Sequence, residues 1–309
     1  MNAAPRHFLE LTGIGREELR AGLDLARRDP ADLGRPLAGQ GVALIFEKPS
    51  NRTRHSSEIA VVQLGGHPVY TLAEEIGFDV RETVEDVTRI MAGYHRILAA
   101  RVFDHATLER MAAVSAVPVV NLLSDRAHPL QAVADVLTME ATGGPLAGRT
   151  VAWIGDFNNV ARSLCEACAL LGAHIRLGCP PGYDAPAEEL ERFAVLGAPS
   201  VTQSARPAEA VAGADAVHTD TWTSMGQEAE ADQRRRAFEG FQVDEALMAA
   251  AAPGASFFHC MPAHRGEEVS AEVFDGPRSR VIEQGHNRLH AARAVFAHLV
   301  TGGSGGDRR

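Results

Sequence analysis

At 309 residues the chain is longer than one hydrophobic core usually serves, so two domains of about 150 residues each are expected. Its 45% hydrophobic and 23% charged residues are globular proportions, and no apolar run approaches the roughly eighteen residues that a membrane span requires. A formal charge of -10 excludes a broad basic face for nucleic acid, so any anion must be met by a local cluster of positive groups.

From the start, MNAAPRHFLELTG lacks a basic segment followed by an apolar one, and only four cysteines are present, which fits a reducing cytoplasm. A helical pattern at 16–28 precedes the apolar run GVALIF at 41–46, and a second helix is expected over 55–66. Strand patterns at 67–72, 96–102 and 117–123 alternate with helical ones at 83–94, 105–115 and 129–142. Glycine and proline gather in TGGPLAGRT at 142–150, a domain boundary. Beyond it, strands are expected at 150–156, 174–180, 199–204, 216–222, 255–262 and 280–284, with helices at 159–172 and 244–254. Strands alternating with helices of this length imply two doubly wound α/β domains with parallel sheets. The last nine residues, TGGSGGDRR, are flexible by composition.

Chemistry concentrates where strands give way to helices. EKPSNRTRH follows the first apolar run, and Ser50, Asn51, Arg52, Thr53 and Arg54 supply hydroxyl, amide and guanidinium donors beside a helix N-terminus. That suits a small phosphate or acyl phosphate; the plainer reading is that Ser50 caps the helix and the arginines face solvent. HPLQ places His128 and Gln131 at another strand-to-helix turn, where they can bind a carbonyl or phosphoryl oxygen, and Arg101 ends a third strand. GDFNN lacks the glycine fingerprint of a dinucleotide site, having Gly155 alone, but offers the amides of Asn158 and Asn159. TDTWTSMGQE sets Asp220, Ser224 and Met225 after a strand, and FHCMPAHRGEE does the same for Cys260, either a buried inert thiol or a polarised one. Cys165 and Cys168 look like half a metal site with no second pair, and read as helix packing.

Taken together, FEKPSNRTR, HPLQ, GDFNN, DTWTSMGQE, HCMPAHRGEE and HNRLH resemble, in order and spacing from about residue 6 to 300, the aspartate/ornithine carbamoyltransferase family, in its ornithine branch. The resemblance implies a carbamoyl phosphate domain over 1–142 with a returning helix at 287–300, and an ornithine domain over 143–286. It implies transfer of the carbamoyl group of carbamoyl phosphate to the δ-amine of L-ornithine, with no metal and no organic cofactor, in a homotrimer or an assembly of trimers.

By the same resemblance, Ser50, Asn51, Arg52, Thr53 and Arg101 bind the phosphate, His128 and Gln131 hold the carbamoyl end, and Arg288 closes the site. Asn159, Asp220, Ser224 and Met225 clamp the amino acid, while Cys260 and Met261 stand near the reacting amine. The expected catalytic group is Arg52, Arg101, His128, Asp220 and Cys260. Three features depart from the family pattern: Asn51 for threonine, Gly285 and His286 for alanine and glutamate, and Glu74 and Glu75 in an acidic loop at 73–83 that also contains Arg81. Putrescine or a modified ornithine as acceptor, a non-catalytic paralogue, and a nucleotide-dependent oxidoreductase are the rival readings. Asp220, Ser224 and Met225 favour a free α-amino acid.

Overall fold

In a computed structural model, residues 5–223, 226 and 228–302 are described. The chain divides into two compact units, residues 1–133 with 288–309, and residues 134–287.

In the first unit, β1 (Gly41–Phe46), β2 (His67–Leu72), β3 (His95–Arg101) and β4 (Val119–Leu123) form a parallel sheet in the order β2-β1-β3-β4. Its helices are α1 (Gly15–Arg27), α2 (Asn51–Gln63), the short α3 (Ala73–Ile76), α4 (Val84–Ala92) and α5 (His105–Val114). Val42 to Phe46 are all buried, as a strand covered on both faces requires, and Ala43, Ile45, Leu98 and Ala100 pack with Val84, Leu108 and Met111 of α4 and α5. α6 (Pro129–Gly143) runs on into the second unit.

The second sheet is also parallel, in the order β7-β6-β5-β8-β9: β5 (Thr150–Ile154), β6 (His174–Gly178), β7 (Val201–Ser204), β8 (Ala216–Thr219) and β9 (Ser256–His259). α7 (Asn159–Leu171), α8 (Ala187–Leu196), α9 (Pro207–Val211), α10 (Ala231–Ala237), α11 (Glu245–Ala250) and α12 (Ala271–Phe274) accompany it, and α13 (Val281–Thr301) follows. Sequence periodicity did not distinguish α8, α9 and α10. Cys165 and Cys168 lie buried on α7, and burial pushes both thiols up in pKa, in keeping with a packing role.

Two expectations need correction. RVIEQ at 280–284 is not a strand: Val281 opens α13, and Val281, Gln284 and Arg288 are buried at helical spacing. Five residues are too few to separate a period of two from one of 3.6. The second helix starts at Asn51 rather than at 55, because Ser50 accepts the Thr53 N–H at 3.4 Å and caps it there.

Candidate active site

Both sheets reverse their winding direction once, between β1 and β3 in the first unit and between β5 and β8 in the second. In open parallel sheets, ligands collect outside the carboxyl ends of the strands at such a reversal. The motif residues lie at those strand ends.

At the first reversal, Ser50 caps α2 and Asn51 is exposed in its first turn. Arg52 is half-buried and makes no hydrogen bond or ion pair among the described residues. Arg54 turns away: its Nε donates to Glu58 at 3.0 Å and its guanidinium lies 3.7 Å over the Tyr70 ring, so it is not a second fork at this strand end. Arg101 closes β3 and is only 5% exposed. Lys48, within the FEKPSNRTR motif but given no role there, has its pKa lowered first by burial and then by Arg101.

Arg288 draws this group together. Its Nη2 donates to Thr53 Oγ1 at 2.8 Å, and its Nη1 donates to Gln131 Oε1 and faces His128 Nε2 at 3.0 Å. An arginine only donates, so His128 Nε2 accepts and the ring proton resides on Nδ1. Burial, then Arg288, then Arg101 hold the His128 pKa well below the usual histidine value, which keeps the ring neutral near pH 7. Thr53, Gln131 and the neutral His128 ring each give this guanidinium an uncharged acceptor. The turn before His128 is braced by buried Asn121 and Ser124: Asn121 Nδ2 donates to the Leu9 and Ala127 carbonyls at 2.9 and 3.3 Å, and Ser124 N–H donates to Ala127 at 2.9 Å.

At the second reversal, the chain leaves β5 through Gly155, whose φ of 128° suits glycine, and Asn158 caps α7 by accepting from Val160 and Ala161 N–H at 3.0 Å each. The amide of Asn158 then donates to Asp220 Oδ2 at 2.9 Å, and the Cys260 thiol donates to Asp220 Oδ1 at 2.9 Å. Asn158, Asp220 and Cys260, from the ends of β5, β8 and β9, thus form one half-buried chain around a carboxylate.

Behind it lies a buried polar network. Gln284 Oε1 accepts His259 N–H at 2.9 Å, and Gln284 Nε2 donates to Asp135 at 2.6 Å and to His218 Nε2 at 3.0 Å. The His259 ring accepts Met261 N–H on Nδ1 at 2.8 Å and meets Glu268 through Nε2 at 3.1 Å. Met261, at φ 57°, is therefore fixed from the preceding strand end. A Cβ on Gly285 would stand 3.2 Å from the Met261 methyl, so the glycine in place of alanine makes room for that side chain.

The two strand-end clusters coincide with two family models that together span most of the chain. One, described as the carbamoyl-P binding domain of aspartate/ornithine carbamoyltransferase, matches residues 6–141; the other, its Asp/Orn binding domain, matches 147–299. The chain belongs to the aspartate/ornithine carbamoyltransferase family.

Among its relatives, the ornithine carbamoyltransferase of Thermus thermophilus is 48% identical over 298 residues, covering 96% of this chain and 97% of that protein. That of a Parafrankia species is 46% identical, covering 96% of each. The solved ornithine carbamoyltransferase of Pyrococcus furiosus superposes with a TM-score of 0.91 at 41% identity, covering 98% of this chain and 99% of that one.

Of the residues singled out for this carbamoyltransferase, Thr53, His128, Gln131 and Arg288 are joined directly, Arg52 and Arg101 stand at the adjoining strand ends, and Asp220 meets Cys260. Asn159 is the first residue of α7, one place beyond the Asn158 that contacts Asp220. Ser224 and Met225 lie outside the described residues. In the acidic loop, Glu75 accepts Leu72 N–H at 2.9 Å, Arg81 donates to the Glu75 carbonyl at 3.2 Å, and the Asp79 carboxylate is met by Arg110 of α5, which also binds Glu85 of α4. The sequence offered Asn158 as an amide at a strand end; it carried His259 inside the HCMPAHRGEE motif without a role, and placed Gln284 only in a strand.

Proposed function

We propose that this chain is an ornithine carbamoyltransferase, transferring the carbamoyl group of carbamoyl phosphate to the δ-amine of L-ornithine and giving L-citrulline and phosphate, within arginine metabolism. The observation that carries the choice of acceptor within this family is the carboxylate of Asp220, held between Asn158 and the Cys260 thiol. A carboxylate and a thiol suit an amine and disfavour the second carboxylate that an aspartate acceptor would bring.

In this reading Ser50, Asn51, Arg52 and Thr53 take the phosphate at the α2 N-terminus, with Arg101 as a further cation. Asn159, Asp220, Ser224 and Met225 hold the amino acid, with Cys260 and Met261 beside the δ-amine. An ornithine amine near pH 7 arrives protonated and must lose a proton before its nitrogen lone pair can attack the carbamoyl carbon. As the N–C bond forms, the carbamoyl oxygen gathers negative charge, which Arg52, Thr53, Arg101 and the Nδ1–H of His128 stabilise. The carbonyl then re-forms as the bond from the carbamoyl carbon to the bridging oxygen breaks; phosphate takes that oxygen and the bonding electrons, leaving as an anion already met by the cations, and the attacking nitrogen gives up its extra proton to the departing phosphate. Arg288, which occupies Thr53, His128 and Gln131 here, exchanges those partners for the substrate. The substrate is itself activated, so positioning and fixed charge suffice for the chemistry assigned to these residues.

A homotrimer is the assembly we favour. Ile59 and Val62 on α2 and Val69 and Leu72 on the edge strand β2 leave apolar surface in solvent that a neighbouring copy would cover. Four free thiols, three of them buried, fit the cytoplasm. Among the described residues, no helix is long and apolar enough to cross a membrane. The deciding assay is citrulline formation from carbamoyl phosphate and L-ornithine, with putrescine, N-acetylornithine and L-aspartate alongside; turnover with ornithine alone is expected, and turnover only with another amine would reject it. Light scattering on the same preparation is expected to give three times the 33.0 kDa chain mass or a multiple of that trimer.

A further inference from the structure

Arg234 on α10 is a buried cation that the reaction outlined above does not use. Its Nη1 donates both to Asp156 Oδ2 at 2.8 Å and to the Trp222 carbonyl at 3.0 Å, and its Nε donates to Glu230 at 3.1 Å. The guanidinium also lies 5.0 Å from the centre of the Tyr183 ring. Asp156 stands two residues before Asn158, and Trp222 two residues after Asp220. The Asn158–Asp220 hydrogen bond therefore links the same two turns that Arg234 links, one staple close behind the other.

We propose that Arg234 is a positioning residue for the amine half of the site: by holding the turn after β5 to the turn after β8, it fixes Asp220 where Asn158 and Cys260 can share its carboxylate. The planar fork explains the residue type, since one guanidinium can serve a carboxylate and a carbonyl at once, whereas a lysine ammonium is a point charge on a flexible stem. Burial pushes the Asp156 carboxyl up in pKa while Arg234 pulls it back, so the pair depends on the contact. Without Arg234, the half-buried Asp156 carboxylate is short of its ion-pair donor, and the two turns lose their common anchor. Neither Asp156 nor Trp222 is offered as a substrate contact; the effect reaches substrate through Asp220. The substrate named in the test rests on the ornithine carbamoyltransferase reading.

The test uses Arg234→Met and Arg234→Lys in the full chain, with each substrate varied in turn and hydrogen exchange followed in residues 155–161 and 219–223. In the Met variant, KM for ornithine is expected to rise about 10- to 100-fold, the loss of a charged hydrogen bond, with a smaller rise for Lys. At saturating ornithine kcat should stay within about threefold and KM for carbamoyl phosphate should hold, the split expected when only ground-state placement of one substrate is disturbed. Exchange should quicken in those two segments and not in β1 or β3. A loss of kcat with neither KM displaced, or unchanged exchange in the two turns, would overturn the proposal. Should the Met variant fail to fold, the Lys variant decides by the same criteria. If the unaltered chain does not use ornithine, the functional reading falls, and the exchange comparison alone decides for or against the staple.

Discussion

The two strand-end clusters hold charge in opposite ways. In the first unit, Arg101 and Arg288 are each only 5% exposed, and their fields, added to burial, keep His128 neutral. In the second, the central charge is the carboxylate of Asp220, half-buried and shared between an amide and a thiol. Under the reading proposed above, a doubly charged phosphate would meet the more deeply buried and more cationic of the two clusters. The amine proposed above would instead meet a single half-buried carboxylate held by an amide and a thiol.

That contrast breaks most readily at the buried cations. Arg101→Gln is expected to lower kcat/KM for carbamoyl phosphate by about 10²- to 10³-fold, as loss of a preorganised charge donor does, and to leave KM for ornithine nearly unmoved. Steady-state kinetics with both substrates varied checks this; a change confined to ornithine would dissolve the division into an anion half and an amine half. Replacing the network behind the amine half comes next. Gln284→Leu removes a donor from buried Asp135 and the acceptor of His259 N–H, and should cost about 2–3 kcal/mol in denaturant unfolding.

Smaller effects sharpen the picture. Cys260→Ser keeps a donor to Asp220 with a harder, shorter side chain, and about a tenfold fall in kcat is expected if the thiol tunes the amine. Full turnover across pH in that variant would remove the sulfur from the chemistry. For His128 the sign follows from its lowered pKa: below about pH 6.5 the unfolded imidazole takes up a proton that the folded ring refuses, so stability falls as pH falls. His128→Gln should therefore flatten the acid limb of stability against pH by up to about 1.4 kcal/mol per pH unit, measured by urea titrations between pH 5 and 7. Least of all, Gly285→Ala sets a helix-propensity gain of about 1 kcal/mol against the 3.2 Å approach to Met261, and thermal unfolding should move by no more than a few degrees.

The amino-acid sequence by itself determined the alternation of parallel strands and helices, because strands covered on both faces read as unbroken apolar runs and their helices as amphipathic segments between turn residues. It also put Arg52, Arg101, His128, Asp220 and Cys260 at strand ends, since a strand end followed by a helix start is a local pattern. Only the tertiary structure decided which neighbours those residues have. Arg54 and Arg288 are both arginines within recognisable motifs, yet Arg54 packs on Tyr70 while Arg288 reaches Thr53 across 235 positions of chain. Gln284 illustrates the same limit: its five-residue window read as a strand, whereas it sits in the first turn of α13 and ties α6, β8 and β9 together through Asp135, His218 and His259. Such contacts join residues far apart in the chain, so no periodicity records them; they exist only because folding leaves buried polar groups that must find partners.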